Sequence, residues 1–245
     1  MKLKVIISFT CILTVVLIEG CSSTKESEKS NIRYNKEKKI NFIKNADFEE
    51  RNLVKTQRIK SVDKISFKLN SDGKLTDGHK MSQTLYNTQG YKTEMLFYNN
   101  DGKVDQYYYY KYNSKGYRTQ SLRYNANSIL INKFTYEYNK YGNKIKATRL
   151  NMSGETEKYY MYKYDEYGEL TDDLWYNADG ELEFKIVNQY DENGKKISSI
   201  SYNGDNDLQN KYIYKYDNKG NIIEELKYND DGEQVGVIQF VYKYF

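Results

Sequence analysis

The sequence predicts an all-β fold, a meander of antiparallel strands joined by tight turns. Tyrosine recurs along the chain with an uninterrupted period of 26 residues. Each recurrence is followed by a tetrapeptide that opens with Asn or Asp, residues that favour turns. Between the turns, aromatic and charged residues alternate, as in strands with one covered face. We therefore expect about six 26-residue double-hairpin repeats, preceded by one irregular N-terminal unit, in a long twisted or coiled sheet.

Two series of positions carry the repeat, and the second is offset from the first by 12 residues. The first series consists of Tyr86, Tyr112, Tyr138, Tyr164, Tyr190, Tyr216 and Tyr242. The second series consists of Tyr98, Tyr124, Leu150, Tyr176, Tyr202 and Tyr228. A fixed period of this length is typical of a supersecondary unit that packs against copies of itself.

The tetrapeptides after both series have the chemistry of hairpin loops. Asn or Asp opens all twelve and Gly closes ten of them, which predicts a type I turn followed by a residue with positive φ. The two exceptions are Asn206, which adopts positive φ readily, and Ser128, which predicts that the loop at 125–128 is the least regular. One further turn, NSDG at 70–73, brings the total to thirteen turns and fourteen strands.

One face of the longer predicted strands is mostly aromatic. The candidate binding residues on this face are Tyr108, Tyr110, Tyr136, Tyr160, Tyr162, Tyr212 and Tyr214. Such rings can stack on sugar rings or grip a peptide, which makes the face a candidate binding platform. They can also pack on one another, because tyrosine covers a half-buried strand while its hydroxyl stays in water. The sequence leaves both interpretations open.

The N-terminal part of the chain has a different character. Lys2 and Lys4 precede a fourteen-residue apolar run, which predicts a secretory signal peptide. The segment that follows is charged, which predicts a flexible tether. Its last part, INFIKNADFEERNLVKTQRI, predicts either a short amphipathic helix capped by Asp47 or an irregular first strand.

The end of the signal, LIEGC at 17–21, resembles the bacterial lipobox. The resemblance implies cleavage before Cys21, acylation of Cys21 and attachment to a membrane of the cell envelope. A plain secretory signal followed by an unrelated cysteine is the alternative. Because Ser22 rather than Asp follows the cysteine, the resemblance implies an outer-membrane or cell-surface location in a Gram-negative source.

The units YKYDEYGEL, NQYDENGKKI and YKYDNKGNIIEELKYNDDGE resemble the YD repeats of RHS-type bacterial surface and secreted proteins. The whole plan is similar to small Bacteroidetes-type repeat lipoproteins. In large RHS proteins the repeats form a shell around a toxic domain, but six units are too few to enclose anything, so we expect only the fold to be shared. The expected organisation is a signal peptide at 1–20, a lipidated N-terminus and polar tether at 21–58, and a YD-like β-repeat domain at 59–245.

No residue pattern predicts catalysis. His79 is the only histidine, so neither a histidine-rich zinc site nor a Ser–His–Asp triad is indicated. The acidic turns lack the spacing of a calcium loop, and adjacent carboxylates such as Asp172 and Asp173 point to opposite faces of a strand. The net charge of +4 comes from interspersed charges, which disfavours nucleic acid as a partner. We expect no enzymatic activity, metal or cofactor.

Two functions fit these observations. The first is a surface-exposed binding or adhesion module that contacts glycan or protein through the aromatic face. The second is a structural, envelope-associated repeat protein, or a partner or immunity factor of another bacterial protein. Exposure of the tyrosines distinguishes them, because a platform needs an open face.

Overall fold

A computed structural model describes residues 46–245, which form one helix and fourteen strands. The predicted signal peptide, Cys21 and the tether up to residue 45 lie outside the described residues. Within 46–245, no helix is both long and apolar enough to cross a membrane. The elements are α1 (Ala46–Thr56), β1 (Ile59–Lys68), β2 (His79–Tyr86), β3 (Lys92–Tyr98), β4 (Val104–Tyr112), β5 (Arg118–Asn125), β6 (Leu130–Tyr138), β7 (Lys144–Leu150), β8 (Thr156–Tyr164), β9 (Leu170–Asn177), β10 (Leu182–Tyr190), β11 (Lys196–Asn203), β12 (Leu208–Tyr216), β13 (Ile222–Tyr228) and β14 (Gln234–Tyr244).

The fourteen strands form a closed antiparallel barrel. Each strand pairs with its neighbours in sequence, and β1 pairs with β14 to close the sheet. The predicted all-β antiparallel fold is therefore confirmed, and the sheet closes into a barrel where a long twisted or coiled sheet was expected. Closure removes the two free edges that an open sheet would expose. It is aided by bulges beside the hairpin turns, such as those at Tyr86 and Tyr98, because a bulge increases the local twist.

The hairpin loops have the predicted conformation. In the loop at 87–90, the amide of Gly90 donates to the carbonyl of Asn87, and Gly90 has φ of 82°. The Asn87 side-chain oxygen also accepts from two later amides of the loop. Ser128 adopts φ of 60° and its loop keeps the same backbone hydrogen bonds, so the expected irregularity at 125–128 is wrong. The Asx hydrogen bonds hold the loop whichever residue closes it.

The wall of the barrel has a lumen side and an outer side, because successive side chains of a strand point in opposite directions. Tyr212 and Tyr214 of β12 line a cavity in the lumen. Lys215, next along the strand, is exposed on the outside. The two ends of the barrel also differ. We call the end at turns 87–90, 113–116, 139–142, 165–168, 191–194 and 217–220 the helix rim, and the other end the far rim.

Helix α1 lies across the helix rim. Its Arg51 side chain donates to the carbonyl of Gly116, and its neighbour Gln57 donates to the carbonyl of Lys219. Of the two alternatives for this segment, the structure has the helix. Asp47 lies within the first turn of the helix and not at the cap position. A carboxylate in the first turn still interacts favourably with the positive end of the helix dipole.

The tightest apolar core lies where α1 meets the closing strands. Val54 of α1 packs with Ile59 and Val62 of β1, and all three are buried. Partly buried aromatic residues from β2 and β14 cover this group, namely Tyr86, Phe240 and Tyr242. The core therefore joins the helix to both sides of the β1–β14 seam, at the point where the barrel closes.

Candidate functional site

The predicted aromatic face lies inside the barrel. Tyr212 and Tyr214 line a lumen cavity, and the Tyr136 hydroxyl hydrogen-bonds to the buried Ser121 at 2.6 Å. The remaining members of the set, Tyr108, Tyr110, Tyr160 and Tyr162, share the same alternation on β4 and β8. Closure thus brings all seven tyrosines to one enclosed surface. They do not form an open outer platform.

Six first-series tyrosines have a structural role that repeats around the barrel. The hydroxyl of each donates to the backbone carbonyl of the residue 20 positions earlier, which is the first residue of a neighbouring strand. For example, Tyr138 donates to the carbonyl of Arg118 at 2.8 Å, and Tyr164 to that of Lys144 at 2.7 Å. These hydroxyls are therefore already engaged and tie one hairpin to the next.

Aromatic rings from β3, β4, β6, β8, β9 and β10 form a belt along the lumen wall. The ring contacts run from Phe97 through Tyr108, Phe134, Tyr160 and Trp175 to Phe184. Their centroids are 4.9–6.1 Å apart, and most pairs are tilted or edge-to-face, the arrangement that ring quadrupoles favour. The belt ends at Phe184, which lines a cavity. Ring surface is therefore available to a ligand at that point.

That cavity, here called the mid-lumen cavity, has a volume of about 490 Å³. This size suits a small ligand. Its wall combines Phe184 and Tyr212 with the amide of Asn188 and the hydroxyl of Ser199. Ser199 donates to the Asn188 oxygen at 2.6 Å and lies 2.8 Å from the Tyr214 hydroxyl. These hydrogen bonds fix the orientation of polar groups beside ring surfaces.

Charged groups also face the mid-lumen cavity. Lys64 and Glu225 both line it and form an ion pair of 3.4 Å. Asp173 accepts a hydrogen bond from the Trp175 indole at 2.9 Å. Burial raises the pKa of Asp173 to about 6, although the charge of Lys144 and the indole hydrogen bond act in the opposite direction. The carboxyl therefore titrates within the range of ordinary environmental pH.

A second cavity, of about 450 Å³, lies beneath α1, and we call it the helix-end cavity. Val54 and Glu50 of the helix line it. It shares Lys64, Lys196 and Glu225 with the mid-lumen cavity, so the two cavities adjoin at these charged residues.

A column of cations lines the lumen near the helix rim. Lys92, Arg118 and Lys144 are the first residues of β3, β5 and β7, and they are 26 positions apart. The Arg118 guanidinium lies 4.5 Å from the ring centre of Tyr110, and the Lys144 ammonium 4.4 Å from that of Tyr162. Ring faces stabilise these cations without neutralising them.

Carboxylates of α1 face this column. Glu50 forms an ion pair with Lys92 at 2.9 Å and accepts a hydrogen bond from Tyr86. Burial by protein would raise the pKa of Asp47, but the charges of Lys144, Arg118, Lys92 and Arg51 outweigh it and hold that pKa below its ordinary value. The helix therefore supplies negative charge to a positive part of the lumen.

The phenols of the lumen remain hydrogen-bond donors at neutral pH. Burial is the main reason that the pKa of Tyr214 rises to about 12, and the nearby Glu225 adds to the rise. Burial likewise raises the pKa of Tyr110 and Tyr162 well above the ordinary value. A ligand would thus meet neutral phenols, together with the cations and carboxyls named above.

The sequence prediction missed the charged members of this site and the contribution of α1. The cation column and Lys196 could have been found, because Lys92, Arg118, Lys144 and Lys196 each lie two residues after the closing glycine of a first-series turn. Asp173 and Glu225 also share a position of the repeat, 52 residues apart, but Ala147 and Ser199 occupy the neighbouring equivalents, so no acidic series stands out along the chain. Within residues 46–245, no group of three or more His, Cys, Asp and Glu side chains is placed to hold a metal ion.

No family model matches this chain, and no curated protein matches it. Among solved structures, one neighbour is a porin-like protein from Bacteroides uniformis, with 13% identity, a TM-score of 0.42 and coverage of 76% of this chain and 98% of that one. A DUF1329 family protein from Desulfovibrio piger has 11% identity, a TM-score of 0.35 and coverage of 82% and 94%. A Tc holotoxin pore from Photorhabdus luminescens has 13% identity and a TM-score of 0.32, and the match covers 69% of this chain but 10% of the toxin chain. All these likenesses are distant, so the function is inferred from this chain's own residues.

Proposed function

We propose that the protein is an exported, lipid-anchored and non-enzymatic binding module whose barrel lumen takes a small glycan or the end of a larger one. The observation that carries the proposal is the mid-lumen cavity, where ring surface of Phe184 and Tyr212 adjoins the oriented polar groups of Asn188 and Ser199. Sugars have apolar ring faces and hydroxyl edges, and this wall offers a partner for each. A folded protein ligand could not enter a cavity of about 490 Å³.

The proposed setting follows from the N-terminal sequence. Acylation at Cys21 would hold the barrel at a membrane of the bacterial cell envelope, the outer membrane or cell surface in a Gram-negative source. We propose further that the barrel is built from tandem YD-type units of 26 residues, as in small repeat lipoproteins. Replacing Cys21 with Ser should abolish fatty-acid labelling and release the protein from the membrane fraction. Unchanged membrane partition would contradict the anchor.

The experiment for the binding function is a glycan array, followed by calorimetric titration of each hit, with the chain from residue 22 onward. Tyr212→Leu removes ring surface from the mid-lumen cavity and should weaken binding of a hit about fivefold or more, since one aromatic stack is worth on the order of 1 kcal/mol. Tyr202→Leu is the matched control on the neighbouring strand, where the ring contacts Lys185 outside the lumen. Failure of all glycans to bind, or equal losses in both variants, would exclude the lumen as a glycan site.

A protein partner is the second candidate, and an outer aromatic patch favours it. Tyr107, Tyr109 and Tyr124 contact one another on the outside of the wall, and Tyr109 is 41% exposed. This patch suits the alternative function of an envelope-associated partner or immunity factor. Binding of such a partner should be lost in Tyr109→Ser and unaffected by Tyr212→Leu, the reverse of the pattern expected for a lumen ligand.

A further inference from the structure

Lys196 is the one cation of the described residues that lines both lumen cavities without an ion-pair partner. It is the first residue of β11, and its ammonium lies 4.3 Å from the ring centre of Tyr214. The neighbouring cations differ from it. Lys64, which also lines both cavities, pairs with Glu225, and Lys92 of the helix-end cavity pairs with Glu50. Within residues 46–245, no carboxylate oxygen lies within 4.0 Å of the Lys196 ammonium.

An unpaired ammonium enclosed by protein is energetically costly, because the wall replaces water with groups of lower polarity. Burial lowers the pKa of Lys196, and the charge of Glu225 offsets only part of that effect. Glu225 cannot serve both lysines fully, since its carboxylate is already 3.4 Å from Lys64. A ligand with an acidic group would supply the missing negative charge.

The surroundings also favour an anion at this point. Arg118 and Lys144 of the cation column lie further along the same rim and have no carboxylate within 4.0 Å among the described residues. Asp47 experiences their positive potential, since it keeps its charge more readily there than in water. Asp173 also lines the mid-lumen cavity and can accept a hydrogen bond from a ligand hydroxyl or donate one to it.

We propose that Lys196 recognises an acidic group, so that the ligand of the lumen is an anionic sugar or polyol rather than a neutral one. The carboxylate, sulfate or phosphate would pair with the Lys196 ammonium where the two cavities adjoin. The ring of the ligand would then pack on Phe184 and Tyr212, with its hydroxyls at Asn188 and Ser199. This inference rests on the proposed function, because it names the chemical class of the ligand of the same site.

The experiment compares three probes that share one hexose ring, namely glucose, glucuronate and glucose 6-phosphate. Each is titrated calorimetrically into the chain from residue 22 onward at low and at physiological salt. We expect both acidic probes to bind at least about tenfold more tightly than glucose, because a charge-assisted hydrogen bond is stronger than a neutral one. The preference should diminish as salt rises. Comparison of the two acidic probes shows whether carboxylate or phosphate is the better group.

Three variants test whether Lys196 causes the preference for acidic probes. Lys196→Gln should abolish the preference for acidic probes, and Lys196→Arg should retain most of it. Lys211→Gln changes the net charge of the protein equally from an exposed position on the outside of β12, and it should leave the preference intact. Thermal unfolding of each variant shows that it is folded, and the Arg variant keeps the test valid if the Gln variant is unstable.

The outcomes separate this inference from the proposed function. If glucose and the acidic probes bind with equal affinity, the lumen binds sugars but Lys196 does not select an anion, and the inference is overturned alone. The same holds if Lys211→Gln removes the preference as fully as Lys196→Gln. If no glycan on the array and none of the three probes binds, the proposed function fails, and the inference fails with it.

Discussion

The two ends of the barrel satisfy their charges in different ways. At the far rim the wall pairs its own groups: Arg149 contacts Glu157 at 2.9 Å, and Lys158 forms an ion pair with Glu183. At the helix rim, Lys92 pairs with Glu50 of α1, and Arg118 lies on tyrosine rings. These far-rim pairs form between wall strands, whereas Lys92 at the helix rim is paired by a segment outside the regular series. The helix rim is also where the cation column lines the lumen.

The largest expected difference between the ends concerns apolar burial. Ile59 is 1% exposed in the core beneath α1, whereas Ile129, beside a far-rim loop, is 60% exposed. Ile59→Ala should lower the free energy of unfolding by about 3–4 kcal/mol, because it leaves a cavity where the helix and the barrel seam meet. Ile129→Ala should cost less than about 0.5 kcal/mol. Urea unfolding monitored by circular dichroism measures both, and similar losses would contradict a core confined to the helix rim.

The second comparison uses glycines of equivalent loops. Gly90 at the helix rim and Gly102 at the far rim have φ of 82° and 73°, so alanine is strained at either position by about 1–2 kcal/mol. A methyl group at Gly102 would meet no atom within 4 Å, but at Gly90 it would overlap the Arg51 carbonyl oxygen of α1. Gly90→Ala should therefore cost about 3 kcal/mol, with displacement of the helix.

Hydrogen exchange of the α1 amides is the distinguishing measurement for these glycine variants. We expect faster exchange in Gly90→Ala and no change in Gly102→Ala. Equal stability losses with unchanged α1 exchange would mean that the loop strain acts alone and that the helix tolerates the added methyl group.

Asp173 lies between the two ends and makes stability depend on pH. Its pKa rises from 3.8 to about 6 on folding, so the folded state binds its proton more tightly than the unfolded state. Its contribution to stability is therefore complete below about pH 4 and is lost as pH rises through 6. The loss is at most about 3 kcal/mol, and the partial solvent exposure of Asp173 reduces it to about 2 kcal/mol.

Asp173→Asn should remove this dependence, so that the variant gains stability relative to the native protein between pH 4 and pH 7. Asp172→Asn, at the adjacent position on the other face of β9, is the control. Thermal unfolding across this pH range measures the effect. A native protein whose stability does not fall between pH 4 and 7 relative to Asp173→Asn would show that the carboxyl is not enclosed.

Local patterns in the sequence predicted much of the fold. The features that depend on pairing between distant parts of the chain could not be predicted. The loops follow from Asn87, Gly90 and their equivalents, because turn chemistry acts over four residues. Closure was not predictable, since the pairing of β1 with β14 joins residues such as Ile59 and Tyr244 that are distant in sequence. The same limit applies to the site. The tyrosines were identified, but whether Tyr212 faces outward or into a lumen depends on closure.

The smallest expected effect concerns the tyrosine hydroxyls and separates the two series. Tyr138 donates to the Arg118 carbonyl at 2.8 Å, so Tyr138→Phe leaves a partly buried carbonyl without this bond and should cost about 1 kcal/mol. Tyr124, of the second series, stacks on Tyr107 outside the lumen with ring centres 5.3 Å apart. Because stacking does not need the hydroxyl, Tyr124→Phe should change stability by less than about 0.3 kcal/mol. Chemical unfolding of both variants measures the difference. Since the bond recurs six times around the barrel, Tyr164→Phe should reproduce the loss seen in Tyr138→Phe. If neither first-series variant is less stable than Tyr124→Phe, the hydroxyls do not join the hairpins, and the first-series tyrosines act in the barrel only through their rings.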